Sequence, residues 1–190
     1  MRRDVRRRPR SRWGVVTGAV LAASQGGVGP AYGQVQVPAV SAPATVVTAD
    51  GVVRMNPTEL EQLYRLAGPG QAPRGAVRGI PIVAPGRPYA PAASRAGRVV
   101  WQGKVFSDDG SAAVNRFFGV RAVRGNLSYG PSWVDGRPSL ILDYQGTSLV
   151  YGRYRDEIRE VAPGLYLGVM YARTQPQPTF TRYFAFEARP

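Results

Sequence analysis

After Gly70 no part of this chain carries a helical pattern long enough to serve as a crossover between parallel strands, and that restricts the fold more than any other feature. Instead, short β-prone runs follow one another, ended by Pro85-Gly86, Asp108-Asp109-Gly110, Arg124-Gly125-Asn126, Asp135-Gly136 and Pro163-Gly164. The pattern predicts strands over residues 77–83, 98–106, 114–123, 127–134, 139–144, 148–151, 154–161, 165–172 and 179–186. Eight or nine strands at spacings of roughly 8 to 15 residues argue for an antiparallel barrel or sandwich. Within 165–172 one face holds Leu165, Leu167, Val169 and Tyr171, and the other holds Tyr166, Gly168, Met170 and Ala172. Both faces are apolar, which a closed barrel covered by a helix on one end or wall accommodates better than a sheet with one wet face.

One helix is expected ahead of the strands. Asn56 or Thr58 can cap it, Pro57 suits its first turn, Glu59 and Glu61 favour its positive end, and Gly68-Pro69-Gly70 stops it. Leu60, Leu63, Tyr64 and Leu66 recur at helical spacing, so the helix is expected over about residues 57–67. The fold class read from the chain is therefore mainly β, an antiparallel barrel of eight or nine strands with one short N-terminal helix.

Charge is unevenly divided. The chain carries +13 overall, and its first 33 residues hold seven Arg and one Asp. Arg2 to Arg12, the apolar run Trp13 to Ala23 and Ala31-Tyr32-Gly33 have the order of an export signal, with cleavage expected after Gly33. The apolar run is too short for a bilayer core of about 30 Å. Residues 34–55 read as a flexible lead-in and residues 56–190 as a single barrel domain. Localisation is expected to be exported, in the periplasm or secreted.

The basic residues are almost all arginine, with Lys104 the only lysine. No basic block faces an aromatic platform of the kind that single strands need, so nucleic acid is not an expected partner. Cysteine and histidine are both absent. That removes disulfides, metal sites built on thiolate or imidazole, and the usual nucleophile–base pairs of acyl transfer. No cofactor and no metal is expected.

Several segments resemble an uncharacterised bacterial exported family. They are Glu61-Gln62-Leu63-Tyr64 with Gly68-Pro69-Gly70, Trp101-Gln102-Gly103-Lys104-Val105-Phe106, Asn115-Arg116, Pro131-Ser132-Trp133-Val134-Asp135-Gly136, Leu142-Asp143-Tyr144, and the run Arg155-Asp156-Glu157-Ile158-Arg159-Glu160-Val161-Ala162-Pro163-Gly164-Leu165-Tyr166-Leu167-Gly168. The resemblance covers the chain from about residue 58 onward, and its last two motifs are the specific ones. It implies one module similar to the calycin barrels that include the lipocalins. It brings no activity and no catalytic residue.

Chemistry centres on residues 155–160. In a strand, Arg155, Glu157 and Arg159 point one way and Asp156, Ile158 and Glu160 the other. Charges on an exposed edge strand discourage edge-to-edge association; in a closed barrel one charged set must turn inward and be paired. Arg116 and Asp143 are the expected partners, in a structural ion-pair network, a ligand site or a catalytic site. As a ligand site, Arg116 with Arg155 or Arg159 would hold a carboxylate or phosphate, and Trp101, Trp133, Tyr166 and Tyr171 would line an apolar body. Asp143 with Asp156 or Glu157 would be the acid–base pair of a hydrolase. The leading expectation is a barrel that binds a small, partly apolar, anionic molecule such as a fatty acid or other lipid-like compound, with association to the envelope and oligomeric state left open. The alternatives are a histidine-free acid–base enzyme (isomerase, cyclase or hydrolase) and a purely structural envelope protein.

Overall fold

A computed structural model of the chain describes residues 46–188. The expected export signal and the lead-in up to residue 45 lie outside the described residues. Nine antiparallel strands form one sheet: β1 (Gly75–Ala76), β2 (Arg78–Pro81), β3 (Trp101–Phe106), β4 (Ala112–Phe117), β5 (Val120–Pro131), β6 (Pro138–Asp143), β7 (Tyr154–Ala162), β8 (Leu165–Ala172) and β9 (Thr179–Glu187). From β3 to β9 each strand pairs with the next, as an up-and-down meander.

The two ends of that meander are brought together by residues 75–81. β1 pairs with β3, and β2, just beyond it, pairs with β9. Between them Val77 N–H donates to the Lys104 carbonyl at 2.9 Å, so the sheet is nearly closed into a barrel. Closure needs two glycines. A Cβ on Gly79 would lie 2.5 Å from the Gly103 nitrogen, and one on Gly103, whose φ is 120°, would lie 2.3 Å from the Val77 carbonyl oxygen. Only bare backbone lets the strands approach this closely.

Two cores lie on opposite sides of the wall. Inside are Phe106, Leu127, Leu140, Leu142, Ile158, Tyr166, Phe184 and Phe186. Outside, against β2, β8 and β9, are Leu165, Leu167, Val169, Ile80, Tyr183 and Ala185, covered by Val52 and Val53 of α1 (Ala49–Arg54) and by Leu60 and Tyr64 of α2 (Pro57–Leu66). This is why both faces of β8 are apolar. α2 begins with a reciprocal cap, in which Asn56 Oδ1 accepts from Glu59 N–H at 3.0 Å and Glu59 Oε2 from Asn56 N–H at 2.8 Å. Leu66, expected on the packed face, points to solvent.

Among the described residues three helices stand where one was expected. α1 falls within the lead-in expected to be unstructured, held by a Thr48 cap and the two buried valines. α3 (Ala90–Val100) occupies a Pro-, Ala- and Arg-rich stretch whose end was expected to begin a strand at Arg98. The expected strand 148–151 is instead a turn, started by Thr147 and Ser148 N–H groups donating to the Tyr144 carbonyl at 3.2 Å. The expected strand 114–123 breaks at Phe118-Gly119, where both residues have positive φ, and β5 then runs straight through Arg124-Gly125-Asn126. Gly125 makes no turn: its missing Cβ leaves room for Leu142, whose Cγ would lie 2.9 Å away.

Candidate functional site

The antiparallel meander gives the barrel two unlike ends. At one end lie the turns at 107–111, 132–137 and 163–164; at the other lie 82–100, 118–119, 144–153 and 173–178. The second end opens into a cavity of about 410 Å³. Trp101, Phe117, Tyr151, Tyr154, Met170 and Phe184 form its walls, and Arg153 and Arg182 also line it.

Its polar lining is a buried cluster drawn from four parts of the wall. β3 places Lys104 there because the pairing with β4 shifts register between Trp101 and Gly103. That bulge turns Trp101 and Lys104, three residues apart, toward the same side. β4 supplies Asn115, the residue just past β6 is Tyr144, and β7 supplies Asp156. Lys104 Nζ donates to Asn115 Oδ1 at 2.9 Å, to Tyr144 Oη at 2.9 Å and to Asp156 Oδ2 at 2.8 Å, which uses all three of its hydrogens. Tyr144 Oη donates to Asp156 Oδ2 at 2.7 Å and accepts from Asn115 Nδ2 at 2.9 Å. Trp101 Nε1 donates to Asn115 Oδ1 at 3.0 Å. One acceptor is left over: Asp156 Oδ1 is buried without a partner.

Burial pushes the Lys104 ammonium below its ordinary value, against the pull of Asp156. Burial, then the Asp156 charge, pushes the Tyr144 hydroxyl well above its own, so Tyr144 keeps its proton and acts as a donor. The Phe184 ring, 5.0 Å from Nζ at its centroid, screens the ammonium from one side. That ring lies over Gly168 of the neighbouring strand, where a Cβ would fall 2.1 Å from Phe184 Cζ.

Of the residues expected to form a site, Trp101 lines the cavity. Tyr166 is inside the barrel but belongs to the core, stacked on Phe186 at 5.0 Å with its hydroxyl donating to the Gln71 carbonyl. Arg116 sits between the cavity-lining Asn115 and Phe117 and so faces outward. Asp143 also faces outward, since Leu142 is in the inner core, and it is paired with Arg173 at 2.6 Å. Arg155 and Arg159 lie on the outer face of β7. The expected grip on an anion by Arg116 with Arg155 or Arg159 therefore does not form.

The outer charges are nevertheless buried, beneath α2 and the loop after β5. Arg159 is fully buried and gives both terminal nitrogens to Asp135, at 2.8 and 2.7 Å. Its remaining donors reach Ser139 Oγ and the carbonyls of Tyr64, Pro138 and Arg137. Glu157 accepts from Ser132 Oγ and Trp133 N–H and pairs with Arg155 at 3.0 Å. Trp133, expected to line the ligand, lies outside with the Arg155 guanidinium 4.3 Å from its ring centroid. Asp156 lies on the opposite side of the wall from Asp143 and Glu157, so no acid–base pair of carboxylates forms.

Sequence reasoning left out of the site Lys104, Asn115, Tyr144, Tyr151, Arg153 and Arg182, and with them the wall residues Phe117, Tyr154, Met170 and Phe184. For Lys104 a signal existed: a chain that uses arginine for every other basic position keeps one lysine. A compact ammonium with three divergent donors fits a three-acceptor pocket that a planar guanidinium does not.

No family model and no curated protein matches the chain. Among solved structures it is similar to one described as "Crystal structure of protein from Thermomonospora curvata", at 21% identity over 72% of this chain and 90% of that one, with a TM-score of 0.48.

Proposed function

We propose that this chain is a binding protein for a small, partly apolar molecule carrying an anionic group, held in the barrel cavity with its apolar body against Trp101, Tyr151, Tyr154 and Phe184. The observation that carries this reading is the cavity itself, about 410 Å³ and walled largely by aromatic side chains, a size within the range of small-molecule sites. Arg153 and Arg182 are the groups available for the anion; neither forms an ion pair among the described residues. The Arg153 guanidinium is stacked 5.0 Å from the Tyr154 ring centroid and donates to Tyr154 Oη, which orients it. A fatty acid or lipid fragment has the required chemistry. The reading keeps the export inferred from the first 33 residues and a calycin-like binding role.

A second reading is favoured by one observation, the unpartnered Asp156 Oδ1 beside Lys104 and Tyr144. A buried carboxylate oxygen without a donor is costly, and a ligand hydroxyl or amine would satisfy it. The same oxygen is the proton acceptor that a histidine-free acid–base enzyme would need.

Titration with a fluorescent fatty acid tests the first reading. Saturable binding is expected, weakened about tenfold in Arg153→Gln/Arg182→Gln, the loss of about 1.4 kcal/mol of charge-assisted contact. Absence of saturable binding to the folded protein, together with no co-purifying amphiphile in native mass spectrometry, would sink it.

A further inference from the structure

The rim around the cavity mouth is an apolar surface set in a ring of positive charge. Leu149 is 106% exposed, Val150 78%, Phe118 68%, Val99 67% and Val120 64%. They come from three segments that the fold ties together. Phe118 N–H donates to the Val100 carbonyl at 3.0 Å and Gly119 N–H to Gln102 Oε1 at 2.8 Å, joining the β4–β5 turn to the end of α3. Thr147 Oγ1 donates to the Arg124 carbonyl at 2.6 Å, and the Phe117 and Tyr151 rings lie 6.1 Å apart, joining the β6–β7 loop to the same hairpin. Scattered exposed apolar residues need no explanation, but side chains gathered on one rim of a soluble surface do.

Positive charge gathers at the mouth in step with this. The segments framing the mouth, residues 82–100, 117–124, 144–153 and 173–178, contain Arg87, Arg95, Arg98, Arg121, Arg124, Arg153 and Arg173 and no Asp or Glu; Asp143, at their edge, pairs with Arg173, and Arg121 and Arg124 also line an outer groove that reaches Asp108. The opposite end carries Asp108, Asp109, Asp135, Glu160 and Glu187 mixed with Arg74, Arg78, Arg137 and Arg159, and there Asp135 is paired with Arg159 and Glu187 with Arg78. One end of the molecule is thus apolar and cationic, and the other carries charges of both signs.

We infer that the mouth rim is a docking surface for an anionic lipid bilayer, with Leu149, Val150 and Phe118 entering the headgroup region and the arginines around them facing lipid phosphates. Apolar tips surrounded by arginine match the two forces that hold a peripheral protein on a membrane: burial of hydrocarbon and attraction to anionic headgroups. The far end, where carboxylates and arginines are mixed, offers neither the apolar tips nor the excess of positive charge, which fixes the orientation. Val100 and Val150 belong both to the rim and to the cavity lining, so a docked barrel would open its cavity toward the lipid. The inference goes beyond ligand binding and does not depend on it, because vesicle association and cavity occupancy are read separately.

The absence of cysteine makes the test specific. In the full chain, Leu149→Cys at the mouth and Asp108→Cys at the opposite end each give one attachment point for a polarity-sensitive fluorophore. Vesicles of phosphatidylcholine mixed with phosphatidylglycerol are expected to blue-shift the label at 149 and leave the label at 108 unchanged, with the shift reversed by high salt. Phe118→Ser, introduced into Leu149→Cys, is expected to raise the vesicle concentration for half-maximal shift about tenfold while fatty-acid binding and thermal stability hold. The inference is overturned if the 149 label does not respond to anionic vesicles, if both labels respond alike, or if Phe118→Ser leaves the response unchanged. It is also overturned if the 149 label shifts with protein concentration alone, which would make the rim a contact between two copies.

Discussion

Strand β7 carries buried charge on both of its faces, and the two faces are finished differently. On the outer face Arg159 is completely buried with every N–H assigned, two of them in a bidentate contact with Asp135, so the group is closed. On the inner face Asp156, which lines the cavity, binds Lys104 and Tyr144 through one oxygen and leaves the other buried without a partner. The satisfied Arg159–Asp135 pair fixes structure, here the seat of α2 and the loop at 132–137, while neighbouring Arg155 keeps a buried Nε that meets Glu157 only as an ion pair. An unfinished cluster facing a space has chemistry left to offer. Which buried charges belong to function is therefore decided by unspent hydrogen-bonding capacity, since burial is shared by both.

Breaking the closed side should have the largest effect. Arg159→Met removes five donors at once and strands the Asp135 carboxylate and the carbonyls of Tyr64, Pro138 and Arg137. A loss of about 5 kcal/mol is expected by urea denaturation, at the upper end for breaking a buried pair. Adding Asp135→Leu should not restore it, because the carbonyls still lack donors. The pair also sets a pH dependence. Hydrogen bonds from Arg159 hold the Asp135 carboxyl below its ordinary range. Its stabilisation is present above the unfolded value of about 3.9 and is lost as pH falls through the depressed native value. Below about pH 4, wild type should lose stability more steeply than Arg159→Met.

On the open side the same operation should cost less and be repairable. Lys104→Met leaves Asp156 without its counter-ion, but Tyr144 still donates to it and the adjoining cavity can admit water. About 3 kcal/mol is expected. Lys104→Met/Asp156→Leu should recover to within about 1 kcal/mol of wild type, because an apolar pair replaces the ion pair while Asn115, Tyr144 and Trp101 keep their bonds to one another and the cavity can supply water to the Tyr144 hydroxyl. Chemical denaturation of the two single variants and the double variant checks this. A double variant no better than Lys104→Met would place the inner cluster in the same structural class as the outer one and remove the distinction.

Much of the wall was legible in the sequence, since apolar alternation and turn residues bounded β6, β7, β8 and β9 to within a residue or two. The helix cap at Asn56 was legible for the same local reason. The misreadings came where a residue served a neighbour instead of its own backbone. Gly125 looked like a turn and is a packing space for Leu142, whereas Phe118-Gly119 is a true two-residue turn without the Asn or Asp that usually announces one. The site was less legible because facing was inferred by counting alternate residues. The bulge at Trp101 to Gly103 breaks that count and turns Lys104 inward, and no pattern in the chain marks it except the glycine itself. The choice between an exposed charged edge and an inward charged set was also incomplete: a barrel wall covered by a helix buries charge on its outside.

The smallest effect is expected where the sequence seemed to promise a large one. Asp143 stands alone among Leu140, Ile141, Leu142 and Tyr144, which suggests a buried ionic partner. It instead faces outward at the edge of the mouth, a third exposed, with Arg173 as its partner and Gln145 N–H capping Oδ1 at 2.8 Å. Exposed pairs of this kind contribute about 0–1 kcal/mol because water solvates both charges once they part. Asp143→Asn keeps an oxygen for Gln145 and should change stability by no more than about 0.5 kcal/mol. The substitution also leaves Arg173 unpaired among the mouth arginines, so it adds one positive charge to that end of the barrel. Measured by urea denaturation beside Arg159→Met, a loss of several kcal/mol in Asp143→Asn would mean that ionic groups outside the wall hold the fold together at the mouth as well as beneath α2, and the contrast between a closed outer cluster and an open inner one would no longer describe this molecule.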